Sequence, residues 1–456
     1  MVFNSDVFLF AFFPVVFAVF WMARTRQARY AVLAASGYVF YGYWDWRFCG
    51  LLAFSTLTSF VAARAIVAAD TASRRRAWLV GSIALDLGIL GFFKYYNFFA
   101  DSVRAAGPAW ALPALSVILP VGISFYTFHT ISYIVDVAVG RVRPTRNLLE
   151  YMAYVALFPQ LVAGPIVRYA QIDRDLAAID RPLAETSLAR GLGFFVVGLI
   201  KKVVIADQIA ALIDPMLQSY GELSMTAAWG AALGYTFQLY YDFSGYSDMA
   251  VGLGYLFGVR IPQNFDAPYR AVDPSDFWRR WHISLSTWLR DYLYVPLGGN
   301  RRGALRTYVN LMVTMLLGGL WHGASWTFVA WGAYHGVLLA LFRAGGHGWN
   351  RLPVTARRAG TFLLVVIGWV LFRSTSFEMA GTWLARMAGI GAGAEMVPTA
   401  LVVWAIVGLI AVNVVPETWN LRFEARPRWA VVYAVGFFLA YLAMNGRESV
   451  FLYYQF

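Results

Sequence analysis

Leu317-Gly318-Gly319-Leu320-Trp321-His322-Gly323-Ala324 joins two apolar runs, 308–321 and 324–342, and sets one histidine among glycines where the chain turns. Two such runs back to back suit hydrocarbon, because a helix needs about 20 largely apolar residues to cross a core of roughly 30 Å. Comparable runs lie at 7–23, 28–48, 51–69, 78–100, 114–137, 190–213, 226–241, 359–373, 400–415 and 429–445. Several are too short to cross upright. The stretch 150–166, with Pro159, Gly164 and Pro165, reads as a broken or re-entrant piece. The fold class is therefore all-α: a polytopic transmembrane helical protein with about 11 spans plus re-entrant and interfacial helices.

Composition agrees. Of 456 residues, 60% are hydrophobic, 17% aromatic and 14% charged, against about 25% charged in a soluble domain. The net charge of +12 does not point to nucleic acid, since the basic residues fall in short clusters between apolar runs rather than along one face. Arg24, Arg26 and Arg29, then Arg74 to Arg76, then Arg141, Arg143 and Arg146 read as positive-inside anchors. That alternation predicts an extracytoplasmic N-terminus, with the turn at His322 away from the cytoplasm or within the bilayer. Met1 to Asp6 lacks the basic start of a signal peptide, so Val7 to Met22 is expected to be the first span. Cys49 is the only cysteine, which excludes an intrachain disulfide and a thiolate metal site.

With no internal repeat and no Pro/Gly/Ser linker, the sequence reads as one domain, 1–456. Residues 264–306 break the hydrophobic pattern with seven Arg and four Asp among aromatics. They suit interfacial or re-entrant helices whose apolar sides enter the bundle while Arg heads snorkel outward.

Chemistry must come from sparse polar groups inside these spans, where an ionisable side chain costs about 2.5–3.5 kcal/mol. His322 is the sharpest candidate: a buried imidazole stays neutral and can take a proton from a hydroxyl, as a general base does. The alternative is a histidine bonding across helices as packing glue. His335 lies 13 residues on, roughly 220° around a continuous helix, so the two would not share a face. In Phe277-Trp278-Arg279-Arg280-Trp281-His282, helical geometry puts Trp278, Trp281, His282 and Leu285 on one stripe, which packing alone would explain. His129 shares a face with Ser132, Tyr133 and Asp136. Asp242, Gly245 and Tyr246 share another, suited to helix-to-helix hydrogen bonds or to lining an acceptor site. His347, in a glycine-rich loop, carries no assignment. No G-x-S-x-G elbow, Walker A loop, H-E-x-x-H zinc helix or H-x-x-x-D motif occurs, and no metal site is expected.

These residues resemble those of the membrane-bound O-acyltransferase family, in its bacterial branch of alginate O-acetylation and teichoic acid D-alanyl transfer. The similarity runs through Met1 to Ser5, Leu119 to Phe128, Phe158 to Ile166, Asp242 to Ala250, Phe277 to His282, Gly318 to Ala324, and Tyr453 to Phe456. It implies a helical disc with a funnel and a tunnel, a catalytic His322 with His282 as its polar companion, and a lining that includes Asp242, Tyr246, Trp278, Trp281 and Trp321. It also implies an acyl thioester donor, acetyl-CoA or an acyl carrier protein, with no permanently bound cofactor. The acceptor would be a hydroxyl on an extracytoplasmic partner protein that passes the acetyl group to an exopolysaccharide. D-alanyl or other acyl transfer to a cell-envelope polymer competes with this, as does a non-catalytic transporter or export-complex subunit. A transporter would more often show two related halves.

Overall fold

A computed structural model describes residues 1–107, 112–391 and 393–444; Tyr453 to Phe456 and position 445 of the last expected span lie outside the described residues. Among those described the chain is helical, with a single isolated bridge between Leu223 and Glu395. Packing resolves two compact units. The first holds Met1–Phe195, Met249–Pro262 and Phe423–Ala430; the second holds Val196–Asp248, Gln263–Arg422 and the chain from Val431. No linker marks the division, which falls inside three helices, α10 (Glu185–Ile200), α12 (Met225–Leu256) and α20 (Pro427–Met444).

The first unit contains α1 (Phe13–Met22), α2 (Arg26–Asp45), α3 (Cys49–Ala68), α4 (Ala72–Leu90), α5 (Tyr96–Ala106), α6 (Ile123–Ala138), α7 (Leu148–Val155), α8 (Phe158–Leu161) and α9 (Tyr169–Ala177). Side-chain caps start several of these: Thr25 accepts from the Ala28 amide, Thr71 from that of Arg74, and Asn147 from those of Leu149 and Glu150. α3 packs on α4 and α6, and α2 on α7. The stretches Arg26–Ala68 and Ala72–Ala106 are long and apolar enough to cross a membrane. Side chains such as Phe54, Val61 and Val80 lie exposed on them, as a surface facing hydrocarbon requires. Inside, Asp86 is buried and accepts from the hydroxyls of Ser55 (3.1 Å) and Thr130 (2.9 Å).

Three expectations are corrected here. The run 114–137 is helical only from Ile123, because Pro120 lacks a backbone donor and Gly122 takes φ +76°. A Cβ on Gly122 would stand 2.6 Å from the Leu161 carbonyl oxygen. Arg29 is not a headgroup anchor: it is buried, donates to the carbonyls of Ala23, Ile179 and Arg181, and lies over the Trp21 ring at 4.4 Å. The run 226–241 is only part of α12, whose 32 residues continue past Asp242 and Asp248. Pro159 does break 150–166 into α7 and α8 as read from sequence.

The second unit continues through a π-helical turn, Lys201–Ala206, into α11 (Asp207–Gln218), and after α12 holds α13 (Pro274–Arg280), α14 (Ile283–Leu289), α15 (Ala304–His322), α16 (Trp326–Asn350), α17 (Val354–Arg373), α18 (Phe377–Met387), α19 (Thr399–Val414) and α20 (Pro427–Met444) from Val431 on. Val354–Arg373 and Pro427–Met444 are apolar enough to span. Within 264–306, Asn264, Phe277, Trp281 and His282 are buried while Arg279, Arg290, Arg301 and Arg302 are exposed, the division expected of snorkelling arginines.

α15 and α16 form the tightest pair, and glycine is the reason. A Cβ on Gly319 would fall 2.2 Å from the Phe328 carbonyl oxygen, and one on Gly332 would fall 2.3 Å from that of Met315. Backbones this close maximise dispersion where no hydrophobic force drives helices together. Ser325 caps α16, accepting from the Thr327 amide at 3.3 Å, so the chain reverses within Gly323 to Ser325 and leaves His322 as the last residue of α15. Gly332→Ala is expected to destabilise the protein by about 1–3 kcal/mol through forced separation of the pair. Gly345→Ala, where a Cβ meets nothing within 4 Å, should leave the melting temperature in detergent unchanged or raised.

Candidate active site

His282 does not continue a helix from Trp278, as the stripe reading required. α13 ends at Arg280, and His282 takes φ +43°, ψ +55° before α14 begins. A left-handed non-glycine residue is uncommon and survives only where its surroundings hold it. Asn264 does so: its backbone carbonyl accepts from the Ile283 amide (2.9 Å), and its Oδ1 faces the Ser284 amide (3.2 Å), the Ser284 hydroxyl (2.8 Å) and His282 Nδ1 (3.1 Å). Its Nδ2 donates to Ser247 on α12 at 3.1 Å.

This network assigns a tautomer. The Ser284 amide can only donate, so the Asn264 atom facing it is the oxygen, and His282 Nδ1 opposite the same oxygen carries the proton. Nε2 is then the lone-pair nitrogen. The ring is fully buried among aromatic side chains, where the uncharged imidazole is the favoured form.

Around His282 the second unit builds an aromatic chamber. Phe243 of α12 meets its ring edge-on at 4.7 Å, Trp321 lies at 6.0 Å, and the His322 ring lies 6.4 Å away, centroid to centroid. His322 is buried with Trp321 (5.1 Å), Trp331 (5.1 Å) and Phe372 (5.2 Å) about it. Trp281 packs on Trp369 (4.8 Å) and Phe265 (5.0 Å), and Trp369 in turn on Trp331 (5.8 Å) and Phe372 (5.5 Å). Trp278 reaches Trp331 at 5.7 Å. The structure thus gathers His322, His282, Trp321, Trp281 and Trp278 into one cluster.

Asp242 and Tyr246 are buried on α12, either side of Phe243. Asp242 is paired with Lys202 at 2.6 Å, which also meets Asp207 at 2.7 Å. One turn and a half further along α12, Asp248 takes Lys201 (2.7 Å) and the Thr418 hydroxyl (2.7 Å). The π-helical turn puts both lysines against α12, and Gly245 admits it: a Cβ there would lie 2.7 Å from the Gly198 carbonyl oxygen. Pairing lets the buried Asp242, Lys202 and Asp248 keep their charges where a lone one would be prohibitive.

His129 stands in the first unit, fully buried and packed on Tyr154 at 5.9 Å, while Asp136 pairs with Arg141 (3.1 Å). Among the described residues no group of three or more His, Cys, Asp or Glu is placed to hold a metal ion. Sequence reasoning missed Asn264, Phe243, Trp331, Trp369 and Phe372, and it put His335 on another face only for an unbroken helix. α15 stops at His322, so the helical angle does not apply; His335 comes back on α16 to 4.9 Å from Trp331.

The sequence profile of the membrane-bound O-acyltransferase family matches residues 139–376. A probable alginate O-acetylase of Pseudomonas putida is 45% identical over 396 residues, 86% of this chain and 81% of that protein. A peptidoglycan O-acetyltransferase of Helicobacter pylori is 36% identical over 423 residues, covering 86% and 80%. A teichoic acid D-alanyltransferase of Streptococcus thermophilus is 30% identical over 236 residues, covering 48% and 56%. The profile spans just over half of the chain and includes both histidines of the chamber, and relatives covering most of it carry the same activity: this multi-pass membrane protein is an O-acyltransferase of the membrane-bound O-acyltransferase family.

Proposed function

We propose that the chamber transfers an acetyl group from a cytoplasmic thioester, acetyl-CoA or an acetylated carrier protein, to a hydroxyl presented from the extracytoplasmic side. The observation that carries this reading is the pair of buried imidazoles 6.4 Å apart, one held in a fixed tautomer. A hydroxyl oxygen seated between the rings is within reach of both.

The acceptor hydroxyl attacks the thioester carbonyl carbon while His322 takes its proton. The tetrahedral adduct collapses with cleavage of the C–S bond, and the imidazolium returns the proton to the departing sulfur. One ester and one thiol result. The hydroxyl has a single proton and it passes to His322, so His282 acts as a polar companion that helps seat the acceptor, and the aromatic walls exclude water that would hydrolyse the thioester. A two-step route through an acetyl-imidazole on His322 uses the same groups.

Relatives named as O-acetylases cover 86% of the chain, and the D-alanyltransferase relative covers 48%, which favours acetyl over D-alanyl. The higher identity to alginate O-acetylases favours an alginate-like exopolysaccharide as final acceptor, reached through an extracytoplasmic acetyltransferase partner. The basic clusters between spans support a bacterial inner-membrane location with an extracytoplasmic N-terminus, and both compact units would act as one acyltransferase domain.

Turnover of acetyl-CoA by the purified protein should fall by about 100-fold or more in His322→Ala and in His282→Ala; rates equal to wild type in both would sink the catalytic reading. Asn264→Ala should lose roughly 10- to 100-fold in kcat through a displaced His282. A correctly folded Asn264→Ala enzyme with wild-type kcat would show that the amide is packing alone.

A further inference from the structure

We infer that Trp331, Trp278 and His335 form a hydrogen-bond-donor subsite beside His322 that receives the carbonyl oxygen of the acyl thioester, an assignment that rests on the acetyl-transfer reading above. The indole nitrogens of Trp278 and Trp331 and both ring nitrogens of His335 are buried, and among the described residues none has a hydrogen-bond partner. A neutral imidazole carries one donor and one acceptor, and an indole one donor. Buried polar groups are nearly always paired, so several unpaired donors in one place call for a cause.

Their arrangement supplies it. Trp331 lies edge-to-face with His322 at 5.1 Å and with His335 at 4.9 Å, and Trp278 meets His335 at 5.2 Å and Trp331 at 5.7 Å. The surrounding rings of Phe277, Trp369 and Phe372 offer no acceptor atom. Gly368 on α17 packs closely against the edge of His335: a Cβ there would come 3.0 Å from Nε2. Contact of an N–H with a ring face satisfies such a donor only in part.

The matching ligand is rich in acceptors and poor in donors, and it must end beside His322. A thioester carbonyl fits. Its oxygen gains negative charge as the hydroxyl adds to the carbon, so donors already in place stabilise the adduct more than the ground state. His322 moves the proton, and this cluster holds the oxygen.

The test uses the full chain in nanodiscs and two inert analogues of acetyl-CoA. In one, a methylene replaces sulfur and the carbonyl remains; the other is S-ethyl-CoA, which has none. Wild type and His322→Ala should bind the ketone roughly tenfold more tightly. Trp331→Phe and His335→Phe should each show a smaller preference than wild type. Trp331→Phe removes one N–H and keeps a ring, so the test stands even where His335→Phe does not fold. Equal binding by wild type, or an undiminished preference in Trp331→Phe, overturns the assignment alone. Failure of wild type to bind either analogue overturns the thioester-donor reading and this assignment with it.

Discussion

One amide oxygen organises the candidate active site. Asn264 Oδ1 gathers the Ser284 amide, the Ser284 hydroxyl and His282 Nδ1, and it does so where water cannot compete. That convergence holds a histidine in a left-handed backbone conformation, separates α13 from α14, and decides which ring nitrogen keeps its lone pair. Tied to Ser247 through its own Nδ2, the same side chain anchors the break to α12, where Phe243 closes on the imidazole. A polar network of this kind is rigid only when every member is satisfied.

A second constraint sets what surrounds it. Charge inside hydrocarbon must be neutralised or removed, and α12 shows the first solution: Asp242 and Asp248 are answered by consecutive lysines from a π-helical turn. The chamber shows the other. It is walled by tryptophan, phenylalanine and neutral imidazole, so a developing charge there would meet few competing dipoles. The close approach of α15 and α16 at Gly319 and Gly332 then carries His322 to the chamber on a short, rigid hairpin. Main-chain contact does the positioning.

Much of this was legible in the residues, and the failures are instructive. The apolar runs at 28–48, 51–69, 78–100 and 359–373 lie on helices long and apolar enough to span, Pro159 marked the break between α7 and α8, and the glycine-flanked His322 marked the hairpin turn. The errors came where one distant side chain overrides local periodicity. Nothing within Trp278 to Leu285 announces that His282 turns left-handed; the cause lies 18 residues earlier in Asn264. His335 was set aside on a helical angle that assumes an unbroken helix, whereas Gly323 ends α15 and folds α16 back. Arg29 looked like a loop anchor, although three carbonyls bury it.

If the chamber is the point where donor and acceptor meet from opposite faces, sidedness is the property to measure. Proteoliposomes holding the protein in one orientation would receive labelled acetyl-CoA on the cytoplasmic face and the acetyl-accepting partner on the other. Label should appear on the partner, in equal amount to the free CoA released on the donor side, and this transfer should vanish in His322→Ala. Transfer that occurs only when donor and acceptor share one face would contradict the account.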